Sequence, residues 1–233
     1  MTLELVMSSN IWFTGVPGSK WSGVDIQLRN MLPCDRTDET PDRVHYHRVN
    51  TPGDKNNGHR GSYWGPGMGC GEHWTNLNHL TKESLETDIE DVFHGEGYRI
   101  LKSHFFARHH NLDYIWNTFK NDWMILLYRE SQSSFSWWAN VMDFGEGHFP
   151  DYTPGYKDYN TMRPKLFEEN EAIFHFGLKM GMQFKKWDPK TSVDMIPGFD
   201  AAAAAEINKS ADDVYVAVAR IESRRSQNDS IKI

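Results

Sequence analysis

An α/β fold is what this sequence predicts: a three-layer α/β/α arrangement with a mostly parallel central sheet. Three observations predict it. Short apolar runs alternate with segments of helical hydrophobic spacing, and the first run passes through a glycine-rich turn into a helix. The chain has 233 residues and 39% hydrophobic content, enough for one substantial core. Alternation of this kind implies right-handed crossovers and ligand sites at the carboxyl ends of the strands. One domain spanning 1–233 is expected, with a long loop insertion at about 33–81.

The first strand is Ile11 to Thr14, an apolar run bounded by Asn10 and by the turn formers Gly15, Pro17 and Gly18. Lys20 to Leu32 carries Val24, Ile26, Leu28 and Met31 and stops at Pro33, which suits a helix. From Pro33 to Thr81 the chain is rich in Gly, Pro, Asn, Asp and His, with one candidate strand at Val44 to Val49. Thr81 is placed to cap a helix reaching Phe93, with Leu85 and Ile89 on one face. Tyr98 to Phe106, Leu112 to Phe119 and Trp123 to Tyr128 read as strand, helix and strand. Ser131 to Val141 reads as the next helix. Thr161 to Met182 reads as a long one, with Pro164 in its first turn, where proline is tolerated. The tail contains the run DAAAAAE at Asp200 to Glu206 and a further helical stretch from Ala211 to Arg224, and the last residues read as frayed.

The formal charge is -7 and basic residues form no long run, so nucleic acid is not an expected partner. Two cysteines, Cys34 and Cys70, are enough for one bridge but for no disulfide framework, and a reducing cytoplasmic setting is expected. No run approaches the roughly 18 uninterrupted apolar residues of a membrane span, and the opening MTLELVMSSN has no signal-peptide pattern. Eleven histidines invite a metal reading at His45 and His47, His73 and His79, or His109 and His110. None forms a known ligand motif, and no metal is expected.

The chemistry-bearing segment is FTGVPGSKWSGV, Phe13 to Val24. A glycine turn between a buried strand and a helix lets backbone N–H groups converge on one anion, and the helix N-terminus adds partial positive charge. Lys20 would add a mobile cation, and Ser19 or Ser22 a hydroxyl. The spacing is not that of the ATP and GTP loop, because no second glycine precedes the lysine by one position after a four-residue gap.

With these residues in place, the chain resembles the sulfotransferases that use 3′-phosphoadenosine 5′-phosphosulfate (PAPS), which have a P-loop nucleoside triphosphate hydrolase-like fold. Their first strand runs into a Pro-Lys-Ser-Gly-Thr-Thr loop. Pro17 and Ser19 match it, whereas Gly18 stands at the usual basic position and Lys20 at the usual glycine, so the positive charge has moved two places along. YRILKSHFFA, Tyr98 to Ala107, is similar to the family strand ending in Lys-Thr-His, with Lys102, Ser103 and His104 at those positions. Trp123 to Tyr128 followed by Arg129 resembles the strand whose terminal arginine contacts the 3′-phosphate. The family's partner serine lies eight residues beyond that arginine; here Trp137 is eighth, and the role passes to Ser136, the seventh. The family's C-terminal Arg-Lys-Gly loop has no match, Lys185 and Lys186 or Arg224 and Arg225 being the nearest substitutes.

The resemblance covers roughly 10–140 and implies PAPS as sulfuryl donor and adenosine 3′,5′-bisphosphate (PAP) as product. It implies cofactor contacts at Gly15, Pro17, Gly18, Ser19, Lys20, Trp21, Ser22, Arg129 and Ser136. It also implies catalytic roles for His104, the general base, and for Lys20 and Lys102, with a hydroxyl-bearing acceptor as partner. In-line transfer of this kind needs positioning and stabilisation of the leaving phosphate, not a metal. Arg129 follows its strand where nucleotide hydrolases usually carry a magnesium-binding aspartate, which favours sulfuryl transfer. Two alternatives stay open: a small-molecule kinase of the phosphate-loop class, and a non-catalytic nucleotide-binding protein. Aromatic residues including Tyr63, Trp64 and Trp74 read mainly as core, and Gly65 to Gly71 and Asp143 to Tyr159 as candidate acceptor loops.

Overall fold

A computed structural model describes residues 9–46, 58–66, 69–141, 156–207 and 213–222. Its centre is β1 (Asn10–Thr14), flanked in parallel by β6 (Arg99–Lys102) and β7 (Trp123–Arg129). Beyond β6 lie the two-residue strands β4 (Tyr63–Trp64) and β5 (Gly69–Cys70), also parallel. On the other side β9 (Val214–Arg220) runs antiparallel to β7, and β8 (Lys185–Lys186) antiparallel to β9. The seven-stranded order is thus β5-β4-β6-β1-β7-β9-β8. The expected mostly parallel sheet is corrected to a mixed one.

The source of that correction is the tail. Ala211 to Arg224, read as helical, contains β9 where it is described. Val214, Val216 and Val218 recur at period two, and all seven residues of the strand pair with β7, from Val214 opposite Arg129 to Arg220 opposite Trp123. Beta-branched residues on a half-buried ladder favour the strand over a short Ala-Val helix. The 33–81 insertion is also more ordered than a loop. It builds β4 and β5 into the sheet edge and forms a separate antiparallel pair, β2 (Val44–Tyr46) with β3 (Gly58–Arg60). Residues 47–49 of the strand expected there lie outside the described residues.

Strand alternation sorts the core into two faces. Ile11, Phe13, Ile100, Ile125 and Leu127 pack against α1 (Trp21–Met31) through Trp21, Val24, Leu28 and Met31, which recur at helical spacing, and against Ala204 of α6 (Ala201–Glu206). Trp12, Leu101, Met124 and Leu126 face α2 (Lys82–Glu90), α3 (His109–Thr118), α4 (Ser131–Val141) and α5 (Tyr159–Lys179). Helices therefore cover both faces. Thr81 caps α2 by accepting from the Ser84 N–H at 3.1 Å. Asp158 and Thr161 form a capping box that starts α5 two residues earlier than expected, so Pro164 falls in its second turn. Trp64, Trp74 and Trp12 stack within the second face, Trp64 on Trp74 at 4.2 Å between centroids, and Phe106 meets Trp12 edge-on. Both cysteines are free thiols, and no helix among the described residues is long and apolar enough to cross a membrane.

A buried ionic cluster links α1, the insertion and β6. Asp25 accepts from Arg29 Nε at 3.0 Å and from Lys102 Nζ at 2.5 Å; Arg29 forks onto Asp38 at 2.9 and 3.0 Å; Asp38 accepts from the Ser62 N–H at 2.7 Å. Lys102 Nζ also donates to the Arg60 carbonyl. Burial pulls the Asp25 carboxyl upward, but Lys102 and Arg29 outweigh it and hold the group below the usual carboxylate range. Removing the Lys102 charge leaves Asp25 and Asp38 with Arg29 alone. Lys102→Met is expected to lower unfolding stability by about 3–5 kcal/mol, read as a fall in the urea midpoint, whereas Lys186→Met on the exposed edge strand leaves it nearly unchanged.

Candidate functional site

The sheet order brings three adjacent strand ends to one rim: β6, β1 and β7. At this switch point the chain leaves β1 toward one side and later crosses it to reach the other, and such crevices are where open α/β sheets bind ligands. Thr14 Oγ1 donates to the Ser103 carbonyl at 2.7 Å and the Ser103 N–H to the Phe13 carbonyl at 3.2 Å, which ties the ends of β1 and β6 together.

Between β1 and α1 the chain makes the expected turn. The Ser19 N–H donates to the Val16 carbonyl at 3.1 Å, and Gly18 (φ 82°) and Lys20 (φ 60°) both adopt left-handed conformations. Glycine is required at 18 for a second reason, since a Cβ there would lie 1.9 Å from the Ser134 backbone oxygen. Gly15 to Ser19 are buried, with Lys20 and Ser22 on the more open side. The Ser19 hydroxyl is fully buried, packs over Gly15, and has no hydrogen-bond partner among the described residues. An orphaned hydroxyl inside a turn of this shape suits a ligand oxygen better than a closed core.

His104 stands beside the start of the turn. Its Nδ1 contacts the Gly15 carbonyl at 2.5 Å, and because a carbonyl only accepts, Nδ1 carries the proton. The lone pair of the neutral ring is then on Nε2. The imidazole is 8% exposed and lies against Trp21, the first residue of α1, at 4.3 Å between centroids and edge-on to Tyr63 at 5.5 Å. These rings define its orientation.

Arg129 grips the other end of the turn. Its guanidinium donates to the Gly18 carbonyl at 2.8 Å, to the Ser133 carbonyl at 3.2 Å and, through Nε, to Asp213 at 2.6 Å. Lys20 Nζ reaches the same Asp213 carboxylate at 2.7 Å. The two cations hold Asp213 below the usual carboxylate range against the opposing pull of its partial burial. A carboxylate is thus already seated between Lys20 and Arg129, so the donor set suits an anion.

Two expected site residues sit elsewhere. Lys102, expected as a catalytic lysine, is completely buried with its ammonium in the ionic cluster under α1, paired with Asp25. Ser136 lies on the exposed face of α4, where Gln132 donates to its hydroxyl at 3.0 Å. The serine against the turn is Ser134, buried, with its backbone oxygen over Gly18. One helical turn on α4 has no freedom to bring both to the same face. Pro17 stays buried in the turn. Of the candidate acceptor loops, 67–68 and 142–155 lie outside the described residues, as do Arg224 and Arg225.

Sequence reasoning missed Asp213, Glu169 and Asn170. Asn170 of α5 donates to the Arg129 carbonyl and to Ser131 Oγ, each at 2.8 Å, and Glu169 faces Arg108 at 3.6 Å and accepts from the Tyr156 hydroxyl at 2.7 Å. An acidic-amide pair at the centre of an apolar helix face is a signal that was available for the last two. Asp213 carried no such signal, because its place depends on a strand that was read as a helix.

No protein-family model matches the chain, and neither a curated protein nor a solved structure does.

Burial pushes the Glu169 carboxyl above the ordinary value of 4.5, and the Tyr156 bond and Arg108 offset it only in part. The folded state therefore keeps a proton that the unfolded chain gives up, and its contribution is full below pH 4.5 and declines as pH rises through the elevated value. Glu169→Gln, which cannot ionise, is expected to lose less stability than the parent as pH rises above 4.5 in paired denaturation series. Parallel curves would show that Glu169 is ionised in the fold.

Proposed function

We propose that this protein is a sulfotransferase that binds PAPS at the turn of Gly15 to Ser22 and transfers its sulfuryl group to a hydroxyl acceptor, with His104 as general base. The observation that carries the reading is the meeting of turn, imidazole and arginine on one rim, with His104 Nδ1 on the Gly15 carbonyl and Arg129 on the Gly18 carbonyl. The resemblance of KSH at 102–104 and of Arg129 to family positions supports it, and so does the fit of the donor set to an anion.

When bound, the phosphosulfate supplies a sulfuryl group that leaves its bridging oxygen for the acceptor oxygen, the S–O bond to the 5′-phosphate breaking as the new one forms. The chain's own residues have separable tasks. In this scheme Gly15 orients His104 by accepting the Nδ1 proton, and Nε2 takes the proton of the acceptor hydroxyl. Lys20 and Arg129 offer positive charge to phosphate oxygens, and Ser19 a buried hydroxyl. Trp21 and Tyr63 shield the imidazole from bulk water. Lys102 holds the fold beneath the turn and is not needed in this scheme.

Saturating PAP, at about 100 times its dissociation constant, is expected to add about 2.7 kcal/mol to stability, which corresponds to a melting-temperature rise of about 5–10 °C. The rise should not require a divalent metal. A rise with magnesium and ATP but none with PAP would transfer the reading to a kinase. His104→Asn retains an N–H for the Gly15 carbonyl but offers no base; it is expected to cut transfer at least ~100-fold while the PAP-induced rise persists. Undiminished transfer by that variant would remove His104 from the chemistry.

A further inference from the structure

We infer that Asp213 is the built-in counter-anion of this site: it occupies the Lys20–Arg129 pair until a phosphorylated ligand displaces it, and so decides how strongly charged a ligand must be to enter. The inference rests on the reading of the turn as an anion site but adds a residue that neither the turn nor its resemblance to other proteins points to.

The placement of Asp213 follows from the sheet. Strand β9 is antiparallel to β7, and its first residue, Val214, pairs with Arg129, the last residue of β7. Asp213 is therefore delivered one step past the end of the ladder, on the same rim as the turn. There its two carboxylate oxygens take separate cations, Oδ1 from Lys20 at 2.7 Å and Oδ2 from Arg129 at 2.6 Å. Lys20 comes from the turn and Arg129 from the strand end, so the pair spans the mouth of the site.

Their exposures indicate which member is replaceable. Arg129 is 9% exposed in its side chain and bound by two backbone carbonyls, which fixes it whether or not Asp213 is present. The Asp213 side chain is 45% exposed, so it can turn to water at small cost. A phosphoryl group brings more charge and more acceptor oxygens than one carboxylate, and bonds to such a group are the stronger ones. A dianionic phosphate therefore wins the two cations, while a singly charged ligand has only parity with Asp213. The resulting site favours phosphorylated ligands over carboxylates.

The test compares the parent with Asp213→Asn, an isosteric change at an exposed position, using inorganic pyrophosphate and PAP as probes in isothermal titration at fixed ionic strength. Removing the competing charge is expected to tighten binding of both probes about two- to thirtyfold, the range set by two partly exposed ion pairs. Adding Lys20→Met should reverse most of that gain, because the freed lysine carries it. A purely structural Asp213 predicts the opposite sign, since loss of its bonds would disorder Lys20 and weaken both probes. Unchanged or weaker binding in Asp213→Asn overturns the inference even if PAP binds the parent well. Tighter pyrophosphate binding with no PAP binding by either protein upholds Asp213 and sinks the nucleotide reading alone. Should the amide variant fail to fold, Asp213→Ser removes the same charge and carries the same expectations.

Discussion

Asp25, Arg29, Asp38 and Lys102 are buried together under the first helix, and each would be prohibitively costly there alone. Ionised groups leave water only if partners compensate them, and here every charge has at least one opposite neighbour within 3.0 Å. The geometric consequence is larger than the energetic one. Asp25 and Arg29 stand one turn apart on α1, Asp38 comes from the insertion and Lys102 from β6, so satisfying the four charges fixes the helix, the insertion and the strand relative to one another. Because α1 begins where the glycine turn after β1 ends, and β6 ends one residue before Ser103 and two before His104, that cluster sets the distance between turn and imidazole.

Above the cluster the same residues divide cleanly by direction. Strand alternation turns Lys102 into the face packed by α1, and the chain then leaves the ladder at Ser103, whose N–H and carbonyl are held by β1. His104 is thereby freed to lie over the turn, between Trp21 and Tyr63. A lysine and a histidine two positions apart thus serve different parts of the molecule, one holding the scaffold and the other held by it. Family likeness alone would have grouped them, and burial is what separates them.

The site's electrostatics follow a similar logic. Arg129 is a bracket for the turn, since two of its bonds go to backbone carbonyls. Its remaining capacity and that of Lys20 meet on Asp213, which keeps two cations close together without mutual repulsion. Cations that are held in place before a ligand arrives need no backbone rearrangement to bind an anion.

Local pattern by itself determined the opening strand, the turn at Gly15 to Ser22, the helix after it, the Thr81 cap and the order of β6, α3, β7 and α4, because each rests on periodicity, turn chemistry or capping within a dozen residues. His104 and Arg129 were singled out by family resemblance and not by local pattern; Arg129 ends β7, and His104 lies two residues past the end of β6. Only the tertiary structure decided that Val214–Arg220 is a strand, since that depends on an unpaired edge of β7 accepting a partner from far along the chain. With that strand came the mixed sheet and Asp213 at the rim. The direction of Lys102 and the choice of Ser134 over Ser136 were likewise undecidable locally, for both turn on which face of an element meets a neighbour, and packing alone specifies that.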